Sequence, residues 1–174
     1  DFSGKLALFD WLMVQGTSVD QTRRKALTTA AVDALGVSLT RENLSLQEDY
    51  RPLTAKQIKK MATSGLAVFA SHSIHHCALS TLDAAGQRAE LIGSKSQIEQ
   101  LTATSCNLFC VPSNLYDDES LDAAFAAGYE YVFTSDRGVV DFSKSILNRN
   151  SVFHAANNHE FVDRAHGPVF EAIG

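Results

Sequence analysis

The segment Ser71-His72-Ser73-Ile74-His75-His76 places three of the chain's six histidines within five residues. His72 and His76 are four apart, and a turn of helix here would aim both imidazoles the same way. Neutral imidazole is the usual nitrogen ligand of Zn²⁺, and two of them with a carboxylate leave an open position for water. His75 falls between the pair and would point elsewhere. The competing reading is a group of surface imidazoles satisfied by water, and spacing alone leaves the two evenly matched.

A second segment, Asn107-Leu108-Phe109-Cys110-Val111-Pro112-Ser113-Asn114-Leu115-Tyr116-Asp117, is an apolar run halted by proline. On its own it reads as a buried strand ending in a turn. Cys106 and Cys110, four apart on that run, read as core or edge thiols rather than a metal pair.

The elements around these segments alternate. Val19 to Leu35 reads as a helix with Asp20 as N-cap and Gly36 beyond its end. Lys5 to Val14 is apolar, either a strand or the start of a helix, and Ser38 to Pro52 reads as loop. Thr54 caps a helix that puts Ile58, Met61 and Ala62 on one face and ends at Gly65. Leu66 to Ala70 is then expected as a short buried strand. A helix over Asp83–Leu101, a strand over Leu108–Val111, a helix over Asp118–Ala127 and a strand over Tyr131–Thr134 follow. Such a rhythm builds a parallel sheet or barrel with active groups at the carboxyl ends of strands, where both segments fall.

Bulk properties set the bounds. A chain of 174 residues with 45% hydrophobic and 20% charged residues suits one soluble domain. Fifteen basic against twenty acidic residues, a net charge of −5, argue against a nucleic-acid partner, and Arg23-Arg24-Lys25 is too short a run to change that. No stretch resembles a membrane span or signal peptide. Three cysteines without framework spacing fit reduced thiols in a cytoplasmic-type environment.

Taken together, Tyr50-Arg51-Pro52-Leu53-Thr54 and then Gly65 through Ser80 resemble the NodB-type polysaccharide deacetylases, carbohydrate esterase family 4. In that family a leucine-threonine, helix and glycine lead-in precedes Ser-His-Ser/Thr-x-x-His-x-x-Leu-Ser, whose two histidines hold the catalytic metal, usually zinc. The resemblance assigns those roles to His72 and His76, and Glu90, Ser94, Lys95 and Glu99 match the helix that follows. The proline segment is similar to the family's Phe-x-Tyr-Pro-Tyr-Gly-x-Tyr signature, and Gly128-Tyr129, Val132-Phe133-Thr134, Gly138 and Leu147-Asn148-Arg149 continue the match. It implies an oxyanion or substrate site at Pro112, Ser113 and Asn114, with the backbone N–H of Ser113 facing the developing charge. Val111 and Ser113 stand where aromatics are usual, and Asn114 where glycine is.

The family's Thr-Phe-Asp-Asp signature, which supplies the general base and the third ligand, has no counterpart. Asp10, in Leu8-Phe9-Asp10-Trp11, is the nearest candidate base. The preferred alignment instead makes Gly4–Leu12 the entry to a helical insert over 11–52, with the first strand, first helix and both aspartates lying before Asp1. Asp136, Asp141, His154, His159 and His166 are the remaining titratable candidates, a late histidine being the family's general acid, and Arg149 is a candidate to orient the missing carboxylate. The expected fold is thus an incomplete or distorted (β/α) barrel of the NodB type with parallel strands, one deacetylase-like domain over 1–174. The expected activity is metal-dependent deacetylation of N-acetylated sugars in a polysaccharide or glycan, with a divalent metal, zinc, as cofactor and carbohydrate as substrate. The alternatives are a non-catalytic deacetylase-like fragment or glycan-binding relic, and a small α/β module with incidental histidines.

Overall fold

In the computed structural model, the described residues are 2–17, 19–36 and 51–150. The chain divides into two compact units, Asp1–Val68 with Gln100–Thr104, and Phe69–Glu99 with Ser105–Gly174.

The first unit is helical. Helix α1 spans Phe2–Thr17 and settles the open choice over Lys5–Val14 in favour of helix. Helix α2 spans Gln21–Leu35. Its Asp20 carboxylate accepts the Arg23 N–H at 2.8 Å, and Gly36 closes it at φ 61°, a left-handed conformation that glycine adopts without a Cβ penalty. Helix α3, Ala55–Thr63, opens with a reciprocal capping box. The Gln57 N–H donates to Thr54 Oγ1 at 3.3 Å, and the Thr54 N–H donates to Gln57 Oε1 at 2.8 Å. The loop reading of Ser38–Pro52 falls mostly on residues outside those described.

Leu66–Ala70 corrects an expectation. It is not a buried strand: Leu66 is 93% exposed and Val68 81%. Among the described residues, its neighbourhood enters the sheet only through the parallel bridge of Ser71 to Phe109. An apolar run becomes a strand only where its backbone groups find a partner ladder, and here only Ser71 does.

The second unit carries the sheet. A 3₁₀ turn at Leu79–Thr81 leads into the long helix α4, Ala84–Thr102. Strand β1, Leu108–Cys110, is followed by a 3₁₀ turn at Pro112–Asn114 and helix α5, Asp118–Ala126. The Asp117 carboxylate caps α5 by accepting the Ser120 N–H at 2.9 Å. Strand β2, Tyr131–Phe133, and the two-residue strand β3, Ile146–Leu147, complete an unclosed parallel sheet in the order β1-β2-β3. Leu108 pairs with Tyr131 and Cys110 with Phe133, and Phe133 in turn pairs with Leu147. This is an open arc of α/β barrel, with helix α5 between the parallel strands β1 and β2. Strand β3 has no sequence signal, because two residues are too few for a period.

Leu79 and Leu91 meet Phe109 and Val132 of the sheet, and Val111 just beyond β1, in one core closed by Leu121, Ala124 and Tyr129. Leu91 and Ile98 of α4 pack into this core. The same helix reaches the sheet through a charge. Lys95 Nζ donates to the carbonyls of Cys106 at 2.6 Å and Gly128 at 3.1 Å, and lies 5.0 Å from the Tyr129 ring centre. The first carbonyl precedes β1 and the second closes α5, so one ammonium group fixes both. Replacing Lys95 by Met keeps the stem and removes the donors, and should cost about 2 kcal/mol, since hydrogen bonds to charged groups lie in that range. Urea unfolding measures it; a loss within roughly 0.5 kcal/mol, the noise of surface substitutions, would show that the ammonium does not hold these carbonyls.

Candidate functional site

Both chemistry-bearing segments lie at the carboxyl end of β1, and backbone pairing puts them there. The Ser71 N–H donates to the Leu108 carbonyl at 2.9 Å, and the Cys110 N–H donates to the Ser71 carbonyl at 2.8 Å. Ser71 is fully buried, and its hydroxyl meets that of Ser94 on α4 at 2.7 Å. The next residue, His72, therefore emerges beside the end of β1.

His72 Nδ1 lies 2.7 Å from the Cys110 carbonyl oxygen. A carbonyl can only accept, so Nδ1 carries the proton and Nε2 keeps its lone pair, the pattern by which metal-ligating imidazoles are oriented. The His72 and His76 ring centres are 4.6 Å apart, edge to face at 82°. No helix produces this approach. Residues 72–78 form an irregular loop in which Ser73 at φ 63° and His76 at φ 55° take left-handed conformations, each costing a non-glycine residue roughly 1–2 kcal/mol.

Glu90 on α4 offsets that cost. Its Oε2 accepts the N–H groups of Ile74 and His75, both at 2.9 Å, and its Oε1 lies 2.6 Å from His75 Nδ1. Successive N–H groups facing one carboxylate form an anion nest. Ile74 is seated over Gly93, where a Cβ would come within 2.5 Å of Ile74 Cδ1. His75 thus turns away from the His72/His76 pair onto a structural partner. Glu90 and Ser94 were legible as members of the following helix, whereas their grip on the loop was not. The carbonyl of Cys110 carries no side-chain signal at all.

The proline turn stands beside this loop. Ser113 at φ 54° and Asn114 at φ 55° are consecutive left-handed residues. The Leu115 N–H closes the turn onto the Pro112 carbonyl at 3.2 Å. The Asn114 side chain accepts the Ser135 N–H at 2.6 Å and donates to Asp136 Oδ1 at 2.8 Å, while the Tyr116 hydroxyl donates to Asp136 Oδ2. Arg149 donates through Nε to the Thr134 carbonyl at 3.0 Å and through Nη2 to Ser135 Oγ at 2.9 Å.

Electrostatics follow from these contacts. Burial lowers the His72 pKa, and the nearby His76 and Arg149 lower it further, against the opposing hydrogen bond to Cys110. The neutral, ligating form is therefore favoured. Burial pushes the Cys110 thiol up, outweighing the nearby Arg149. Asp136 is held below the usual carboxylate range by Tyr116 and Asn114.

Other sequence candidates fall elsewhere. Asp10 is exposed on α1, in the first unit. Asp141 is occupied by the Ser143 hydroxyl at 2.6 Å and its N–H at 3.0 Å. His154, His159 and His166 lie outside the described residues. The donor set suits the nitrogen half of a divalent-metal site, and among the described residues no group of three His, Cys, Asp or Glu side chains could complete one.

A strand-end loop carrying His72 and His76, and a proline turn at the end of the same strand of an open (β/α) arc, mark a NodB-type fold. The family model for polysaccharide deacetylase matches residues 18–132, and the chain belongs to that family. Over 86 residues it is 31% identical to YxkH of Bacillus subtilis, a protein named as a polysaccharide deacetylase, covering 49% of this chain and 30% of that one. The polysaccharide deacetylase BC0361 of Bacillus cereus superposes with a TM-score of 0.59 at 20% identity, over 70% of this chain and 39% of that one. The deacetylase PplD of Streptococcus pyogenes, solved in complex with acetate, gives 0.59 at 22% identity, over 70% and 54%. The chain thus spans between about a third and about half the length of these relatives. Among the described residues, no helix is long and apolar enough to cross a membrane.

Glu90 supplies a test. Burial raises its pKa, but the hydrogen bonds from His75 and Ile74 outweigh this and hold it below the ordinary value of 4.5. Stabilisation from such a group is complete above the unfolded-state value and disappears as pH falls through the depressed folded one. Glu90→Gln should therefore lower stability by roughly 1–2 kcal/mol at neutral pH, with a difference from wild type that shrinks on acidification below the glutamate range. Denaturant midpoints across that range measure it; a constant difference would refute the ionised anchor.

Proposed function

We propose that this chain carries the histidine ligands and the oxyanion donor of a metal-dependent deacetylase acting on N-acetylated sugars in a polysaccharide or glycan. The observation that carries the reading is the His72 Nδ1 contact with the Cys110 carbonyl, which leaves Nε2 available beside His76, at the same strand end as the Ser113 turn.

His72 and His76 would hold the divalent ion, zinc by the preference of imidazole donors. When bound, such an ion would supply Lewis-acid polarisation of a carbonyl and would lower the pKa of water. The protein residues do the rest. Cys110 fixes the His72 tautomer. The Ser113 N–H is the donor for negative charge developing on the acetamide oxygen, with Pro112 and Asn114 shaping its turn. Arg149, tethered by Thr134 and Ser135, would orient the carboxylate base of the complete site. His154 and His159 are candidates to protonate the leaving amine.

A second reading, a non-catalytic deacetylase-like domain that binds glycan, draws support from the missing third ligand among the described residues. Zinc titration and acetate release from N-acetylglucosamine oligomers separate the two. Wild-type protein should bind roughly one zinc ion per chain and release acetate in a chelator-sensitive manner. His72→Ala should weaken zinc binding by more than about 100-fold, beyond the loss seen when only an outer-shell partner is removed. Zinc binding without acetate release would favour the second reading, and no zinc binding at all would overturn the metal site.

A further inference from the structure

Asn114 stands where the family signature has glycine, and the structure gives that departure a use. We propose that Asn114 and Asp136 are positioning residues: a side-chain clamp that aims the Ser113 N–H into the site. The inference rests on the oxyanion reading of Ser113 above.

Ser113 and Asn114 are both left-handed, at φ 54° and 55°. Glycine would supply the same backbone freely but nothing to fasten it. Asparagine tolerates the conformation and adds an amide that uses both ends. Its oxygen accepts the Ser135 N–H at 2.6 Å, and its nitrogen donates to Asp136 Oδ1 at 2.8 Å. The second oxygen of Asp136 accepts the Tyr116 hydroxyl. One carboxylate therefore gathers hydrogen bonds from Asn114 and, two residues on, from Tyr116.

The far side of the clamp is itself anchored. The Thr134 N–H donates to the Leu147 carbonyl at 3.0 Å, and the Thr134 carbonyl accepts Arg149 Nε at 3.0 Å. The Val111 N–H, just before the turn, donates to the Phe133 carbonyl at 2.9 Å. The Ser113 turn is thus fixed to the sheet at its start by the backbone and at its end by Asn114. This also assigns Asp136 a role. With both oxygens accepting from neutral donors, it serves as a structural acceptor rather than as the general base.

The test uses the full chain with zinc present and three variants: Asn114→Gly, Asp136→Ala and Asp136→Asn. Asn114→Gly keeps the backbone and removes the clamp, so it reports on aim rather than folding. Acetate release should show kcat reduced roughly 10- to 100-fold, the cost of a misplaced donor, with KM within about twofold. Asp136→Asn, which retains one acceptor, should recover part of the Asp136→Ala loss. Unchanged kcat in Asn114→Gly, or a loss confined to KM, would overturn the proposal. If Asp136→Ala does not fold, Asn114→Gly decides alone.

An independent arm covers a wild-type chain that releases no acetate. In ¹⁵N-labelled protein, added acetate should shift the Ser113 amide resonance, and Asn114→Gly should lose most of that shift. That result would uphold the clamp even where hydrolysis fails. An equal response in both proteins, or none in wild type, would sink it.

Discussion

The site depends on one peptide unit at the end of β1. The Cys110 N–H donates to the Ser71 carbonyl at 2.8 Å, and the Cys110 carbonyl accepts from His72 Nδ1 at 2.7 Å. The first bond fixes where the histidine loop leaves the sheet, and the second fixes which nitrogen of His72 faces outward. Both come from backbone groups that must be satisfied wherever they lack water. The orientation of the first histidine is thus a by-product of strand pairing, and it holds whatever side chain residue 110 carries.

The loop and the turn are strained in the same way and relieved in the same way. Ser73, His76, Ser113 and Asn114 all have positive φ without being glycine. Such residues persist only where surrounding contacts over-determine them. For the histidine loop the contact is the Glu90 carboxylate beneath two amides. For the proline turn it is the Asn114 amide between Ser135 and Asp136. Each anchor sits on an element ordered by the core, α4 in one case and the segment after β2 in the other. Rigid parts thereby hold irregular backbone at the strand ends, as barrels of this class do.

Helix α4 shows how one element serves packing and site together. Leu91 faces the core, and Glu90, Ser94 and Lys95 project toward the His75 loop, Ser71 and the start of β1. Consecutive residues on a helix point in different directions, so a run of this kind can reach several neighbours only when the helix is wedged among them. Read as sequence, the same run is an ordinary amphipathic helix with a few polar members.

Much of this was legible in the sequence. Caps and punctuation placed α2 and α3 to within about two residues, because Asp20, Thr54, Gly36 and Gly65 act locally, and the expected bounds of α4 and α5 lie within about one residue of those observed. Strand β1 and its stop at Pro112 were legible for the same reason, and the two signature segments identified the family. Leu66–Ala70 was misread because apolar composition says nothing about whether a partner ladder exists. The left-handed loop around His76 was misread as a possible helical turn because i, i+4 spacing is shared by helices and by many loops. What the sequence alone determined is the set of groups at the candidate site: the two imidazoles, the proline turn and the asparagine in place of glycine. Which nitrogen of His72 faces outward, what Glu90 holds and where Asp136 points were decided by the tertiary structure. Each depends on hydrogen bonds between residues 15 to 38 apart in the chain, and only folding makes them neighbours.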